Sequence, residues 1–438
     1  MQNYFFELCR KLFDILKPAE VLMCSFYAEQ SDFVRFNHDL IRQAGHVDQS
    51  EFQLIFIKDN RQLSASYSLS GDLGTDYAYL KQMLTNLRLH IEFLPIDPFI
   101  HYSTAIHSTE QITVNKLPSA TETVADIMLH AKDSDLTGFW ASGPIMRGFS
   151  NSIGQQNWHE CHTFNFDWSV YLQQDKAVKM NYAGESWQES TLLTKMATVK
   201  HFLTHMDQSA KTLNPGTYRA YLAPSAFAEI LSLVMGGAFS RKNKETAQSP
   251  LLKMFKEGWL FDKNINFVET GHSTLNPDFT PYGFIKPAQI SLINQGQFDQ
   301  CLVNARSAKE YQDTVNCDAE SPVALEMSGG DLPQEEVLTA LDRGLYINHL
   351  WYCNYSDRNH CRITGMTRFA CFWVENGKIV APINVMRFDD TLYRLLGEHL
   401  LAMTAQREVI MDTSTYGRRS TDCYLLPGIL VDNFNLTL

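Results

Sequence analysis

His162-Thr-Phe-Asn-Phe-Asp-Trp-Ser-Val-Tyr-Leu172 is the clearest strand in the chain. Phe164, Phe166, Trp168, Val170 and Leu172 alternate with Asn165, Asp167, Ser169 and Tyr171. Successive strand residues point to opposite faces, so this pattern puts the aromatics on one buried face. Downstream, Gly184 and Trp187 introduce a helix over 188–208. Upstream, Leu80, Met83, Leu84 and Leu87 stand at i, i+3, i+4 and i+7 in a helix over 75–93, which Pro95 and Pro98 stop. A short helix falls near Val124, Ile127 and Met128.

Further out, residues 1–17 form an amphipathic helix ending before Pro18, and 21–69 read as strands. Phe33–Phe36 leads to a turn around Gly45, followed by Phe52–Ile57 and Leu63–Leu69. Asn214-Pro-Gly216 is a turn signal before the strand Tyr218–Leu222. A helix over 225–235 ends at Gly236-Gly237. Beyond about 257 the chain is rich in strands and turns. Asn376-Gly377 lies between two apolar runs, a strong hairpin signal. A helix over 391–405 starts at Thr391 and carries Leu392, Leu395, Leu396 and His399, and residues 429–436 close the chain as a strand. The length of 438 residues exceeds what one core usually serves. The reading is therefore α+β in two domains, an α/β domain over 1–214 and a strand-rich, antiparallel domain over 215–438.

A formal net charge of −12 with no long Lys/Arg run argues against a nucleic-acid partner, whose phosphates need clustered cations. Nine irregularly spaced cysteines in a long chain suit a reduced, cytoplasmic protein better than a disulfide scaffold. Glu7, Arg10, Lys11 and Asp14 interrupt the N-terminal apolar run, so it does not read as a signal peptide. No run of 18 apolar residues occurs, and no membrane partner is expected.

Four segments carry a family resemblance in order: Gly344-Leu-Tyr346, Thr364-Gly365-Met-Thr-Arg368, Trp373-Val-Glu-Asn-Gly377 and Ala381-Pro-Ile-Asn384. The early Val34-Arg-Phe36 stretch, running on to Gln43, and the closing Pro427–Phe434 run add to it. Together they resemble the TldD/PmbA family. The resemblance implies a two-domain α+β fold, dimeric assembly and a role with extended or unfolded peptides. The family's catalytic branch carries His-Glu-x-x-x-His on the helix after the central boundary, a pattern that resembles a zinc site with a general base. Here the corresponding positions are Leu231, Ser232 and Gly236, and no His lies between His205 and His272. The chain is thus similar to the metal-free PmbA/TldE-like branch. That implies no cofactor, no catalytic residue of its own, and a homodimer or a heterodimer with a zinc-bearing TldD-like subunit.

Other groups are weighed against bland readings. His159 and His162 would face opposite sides of a strand, which suits one metal poorly. His201 and His205 share a helix face but lack the following Glu of a zincin pattern. His349, Cys353, His360, Cys361 and Cys371 are the densest soft-ligand cluster, readable as a metal site or as buried apolar thiols. Cys423 lies where the catalytic branch draws its zinc cysteine. Arg358, Arg362, Arg368 and Arg387 could bind a peptide carboxylate or pair with Glu375, Asp389 and Asp390. Gly344, Leu345, Tyr346 and Ile347, with Arg368, are the candidate peptide-binding residues, because a sheet edge can take a peptide as an added strand, and the Gly344–Ile347 strand reads equally well as core. The leading reading is a metal-free, non-catalytic participant in peptide processing. The alternatives are a self-sufficient hydrolase using a relocated metal or Cys/His site, and a purely structural homodimer.

Overall fold

The computed structural model describes residues 1–173, 176–270 and 274–437. Among them, seven strands form a first sheet: β1 (Val21–Asn37), β2 (Leu40–Lys58), β3 (Arg61–Ser68), β4 (Thr109–Ile112), β5 (Asp135–Asn151), β6 (Gln156–Gln173) and β7 (Lys176–Gly184). The order is β3-β2-β1-β5-β6, all antiparallel. Two strands share the far edge of β6, with β4 parallel to its first residues and β7 antiparallel to its last.

The aromatic alternation of β6 is present as read, except that Leu172 at its end is exposed. Phe164, Phe166, Trp168 and Val170 are buried, and Phe166 stacks on Trp168 at 4.2 Å. Helices α1 (Gln2–Phe13), α2 (Leu73–His90), α3 (Ala120–Ala131) and α4 (Glu189–Met206) cover this sheet. Leu8, Leu12, Leu80 and Leu84 pack on Phe26, Phe52 and Trp158, while Ile127, Val199 and Phe202 pack on Phe164 and Phe166. Asp72 caps α2, and Ser119 with Glu122 forms a capping box on α3.

The turn expected around Gly45 lies elsewhere. β1 and β2 reverse at His38-Asp39, both at positive φ (51° and 48°). Such a two-residue turn matches strand twist. Gly45 sits inside β2 opposite Phe33, where a Cβ would come within 2.8 Å of the Phe33 ring. The glycine marks a packing contact, not a reversal.

The second sheet holds eleven strands among the described residues. In chain order they are β8 (Gly216–Leu222), β9 (Phe267–Glu269), β10 (Ile290–Asn294), β11 (Gln297–Phe298), β12 (Ala324–Met327), β13 (Gly344–Asp357), β14 (Arg362–Glu375), β15 (Lys378–Pro382), β16 (Arg387–Thr391), β17 (Leu400–Met411) and β18 (Cys423–Leu436). Most pairings are antiparallel, but β8 runs parallel to β13 and β12 parallel to β18. The Asn376-Gly377 hairpin joins β14 to β15, with φ of 51° and 67°. Helix α5 (Pro224–Ala238) follows β8 and packs on β13 and β18. Its geometry fails at Gly236-Gly237, as the sequence predicts.

Two expectations are corrected here. The helix over 391–405 is a single turn, Leu392–Leu395, capped by Thr391. Leu400 onward is β17, because those residues find a full partner in β18. Ladder pairing overrides a weak helical preference. Gly344–Ile347 is not a sheet edge, since β8 pairs with it on one side and β14 on the other. Leu345 and Ile347 are fully buried, so this strand is core and cannot accept an added peptide strand.

Candidate functional site

Where the two sheets meet, a cavity of about 560 Å³ opens beside α5. Asp167 of β6 and Lys179 of β7 form one wall, and His349 and Trp351 of β13 with Phe369 of β14 form another. Met411, Asp412, Asp422 and Cys423 close it from the ends of β17 and β18. Helix α5 contributes Ser225, Ala228, Glu229 and Ser232, at i, i+3, i+4 and i+7. That spacing is one helix face. The other face, Phe227, Ile230, Leu231 and Val234, is fully buried in the core of the second sheet. Asn348 fastens the walls together. Its Nδ2 donates to the Lys179 carbonyl at 3.1 Å, and its own carbonyl accepts from Ser225 Oγ at 2.7 Å.

The charges in the cavity are unequally matched. Lys179 Nζ lies 2.6 Å from Asp167 Oδ1. Burial raises the Asp167 carboxyl and the ammonium beside it opposes that. Burial also raises Glu229, against Lys179 and with Asp167. His349 is 6% exposed, and burial, helped by Lys179, holds its imidazole down at about 3, so it is neutral. Its Nε2 stands 3.7 Å from Glu229 Oε1, beyond hydrogen-bonding distance. Burial pushes the Cys423 thiol up to about 12 and raises Asp422. An uncharged thiol is a poor nucleophile and a poor metal ligand. The cavity therefore offers unpaired carboxylate and a neutral imidazole.

The positions aligned with His-Glu-x-x-x-His do not share a face. Leu231 is in the core, Ser232 faces the cavity and donates to the Glu229 carbonyl at 3.0 Å, and Gly236 is exposed at the helix end. A zinc ion needs three or four converging nitrogen, sulfur or oxygen donors. Among the described residues no three His, Cys, Asp or Glu side chains assemble in that way. The residues at hand do not fit the family's zinc.

The 349–371 cluster is likewise dispersed. His349 lines the cavity, Cys361 and Cys371 are buried in the core, and Cys353 packs beside Gly365. His360 is exposed and bonded to Asp357 at 2.7 Å. Of the four arginines, Arg362 pairs with Asp389, while Arg387 bonds Thr364 at 2.9 Å. Arg358 lies over Tyr355 and Arg368 over Trp351. Asp390 takes Arg394 instead, and Glu375 takes Lys211. His201 and His205 meet edge-to-face at 4.8 Å on α4. His159 bonds the Thr274 carbonyl, and His162 lies 3.9 Å from Glu160.

Glu229, Lys179 and Asp167 were not singled out from sequence. One clue was available, since Glu229 is the sole charged residue within 224–238. A lone carboxylate on an otherwise apolar helix marks the face that is not core.

Among the described residues no helix is long and apolar enough to cross a membrane. Residues 215–438 match the model of the PmbA/TldA metallopeptidase C-terminal domain. The fold is similar to that of TldE from Thermococcus kodakarensis, with a TM-score of 0.76, 15% identity and all of both chains covered. It is also similar to a Thermotoga maritima protein described as a candidate modulator of a DNA gyrase (TM-score 0.76, 14% identity, 99% and 100% covered). A Bacteroides thetaiotaomicron protein of like description follows (0.71, 12%, 99% and 98%). Among curated proteins none matches the sequence.

Proposed function

We propose, from the premise that this chain belongs to the PmbA/TldD family, that it performs no zinc catalysis of its own. Its role is to hold extended peptide at the α5 cavity, in a dimer with itself or with a zinc-bearing relative, in the reducing cytoplasm. The observation that carries this reading is the cavity face of α5. At the positions aligned with the catalytic branch's His-Glu-x-x-x-His the chain has Leu231, Ser232 and Gly236, and toward the cavity the helix presents Ser225, Ala228, Glu229 and Ser232 with no imidazole among them.

Two strand edges support the peptide role better than Gly344–Ile347 does. Over Arg407–Met411, β17 pairs only with β18 among the described residues, and β7 pairs only with β6. Lys179 to Asn181 of β7 and Ile410 to Met411 of β17 both line the cavity. An extended peptide can bond to such an edge through its main chain. The nine cysteines are all free thiols, which suits a reducing compartment.

Elemental analysis of protein purified without a metal-binding tag, together with its mass in solution, tests the reading. Near-zero zinc with a dimeric mass is the expected result. One zinc per chain overturns it.

A further inference from the structure

We propose that the Glu229–His349 end of the cavity binds a protonated primary amine carried by a peptide, either its N-terminal ammonium or a lysine side chain. The proposal rests on the peptide-holding role and names the group that would be held.

Two side chains there have unused capacity. The Glu229 carboxylate is 40% exposed toward the cavity, and among the described residues it accepts no hydrogen bond. The His349 side chain is more than nine-tenths buried and makes none either, its Nε2 standing 3.7 Å from Glu229 Oε1. Polar side chains at a cavity wall with no partner within the chain leave their hydrogen-bonding capacity open to whatever enters the cavity. Neutral imidazole has one acceptor nitrogen, a carboxylate has several acceptor sites, and an ammonium brings three donors. One ammonium can satisfy both groups at once.

The surrounding charge excludes the opposite choice. Lys179 is the cavity's one cation among the lining residues and is bound to Asp167 at 2.6 Å. Asp412 and Asp422 add carboxylate to the same walls. An anionic ligand would be repelled, and a cation supplies what the site lacks. The phenyl ring of Phe369, 5.4 Å from the His349 ring, gives the pocket an apolar flank that shields the interaction from water.

The test has two arms. In the first, propylammonium chloride is titrated into the full chain while the imidazole signals are followed by NMR, with His349 identified from its loss in H349Q. Tetramethylammonium chloride, which has the same charge and no N–H, is the control. Propylammonium should shift the His349 signal in wild type and not in E229Q, and tetramethylammonium should shift neither. In the second arm, an extended peptide is compared in three forms: free N-terminus, acetylated without lysine, and acetylated with one lysine. Removing every amine should weaken binding about tenfold, the value of one charge-assisted hydrogen bond, and E229Q should erase that difference. Recovery with lysine assigns the side chain as the source, and no recovery assigns the N-terminus. No His349 shift with propylammonium, or an equal shift in E229Q, overturns the proposal. A specific propylammonium response with no peptide binding upholds the amine site and overturns the peptide-holding role.

Discussion

Two charged side chains stand where the halves of the molecule meet, and they are completed to different degrees. Arg419, in the loop between β17 and β18, is 6% exposed and makes four side-chain hydrogen bonds. Its guanidinium donates to Ser31 Oγ at 2.8 Å, to the Thr163 carbonyl and hydroxyl at 3.1 Å, and to the Gly143 carbonyl at 2.8 Å. Its Nε lies 3.7 Å from the buried Glu29 carboxylate, and its own carbonyl accepts from Tyr27 at 2.9 Å. Glu229, across the cavity wall, has no such partners. A charge whose hydrogen bonds are mostly spent within the chain holds the fold; a charge left open beside a cavity is available to something else.

The largest expected effect tests the closed half of that comparison. Arg419→Met leaves Glu29 buried without its counter-charge, and breaking one side of a buried pair costs roughly 3–5 kcal/mol. Urea unfolding should show that loss as a fall in midpoint at unchanged slope. A loss under about 1 kcal/mol would mean that Arg419 is a surface group in practice.

The two faces of α5 give the next contrast. Leu231→Ala removes a fully buried side chain and should cost about 2–5 kcal/mol, whereas the cavity-facing Ser232→Ala should stay within about 0.5 kcal/mol. Similar losses at both positions would erase the distinction between a core face and an open one. Circular dichroism melts of the two variants decide it.

These contrasts also mark what was legible in the sequence. The first sheet was readable where one face is buried and the pairing is local, as in β6 with its aromatic alternation and the helices around it. The Gly45 turn misled because a glycine inside a strand and a glycine in a turn look alike until the facing residue, Phe33, is known. The second sheet was harder. β8 pairs with β13 and β18, more than a hundred residues away, and the helical spacing of Leu392, Leu395 and Leu396 belongs to a single turn that ends before β17 begins. The missing zinc motif was plain from residue identity. The positive site was not, because Asp167, Lys179, Glu229, His349 and Asp422 come from five segments that only the folded chain brings together.

A third carboxylate falls between the two extremes. Glu269, 3% exposed, accepts from the Val323 and Ala324 amides at 3.0 and 3.2 Å but has no ion pair within 4 Å among the described residues. Burial outweighs the amides and raises its carboxyl from an ordinary 4.5 to about 6. A carboxyl raised by folding stabilises the protonated state. Its contribution is fully present below pH 4.5 and is lost as pH climbs through 6. The difference is roughly 2 kcal/mol, at 1.36 kcal/mol per pH unit. Glu269→Gln should flatten the fall in stability between those two pH values, measured by urea titration at each. An unchanged slope would assign it to other groups.

The smallest effect is the one that defines the open half. Glu229 also has a carboxyl raised mainly by burial. By the same sign, ionising it works against folding, and its contribution to stability is lost as pH rises through its folded value. Its side chain is 40% exposed, so solvent screens most of this cost. Glu229→Gln keeps the shape and removes the charge without stranding a cation, because Lys179 remains with Asp167 at 2.6 Å. The variant should therefore be as stable as wild type near pH 7 or slightly more so, and the gain should vanish in acid. A clear loss at neutral pH would show that the carboxylate already has a structural partner, and would move Glu229 to the same side of the comparison as Arg419. A neutral or small positive result, beside a large loss for Arg419→Met, places the charge outside the needs of the fold.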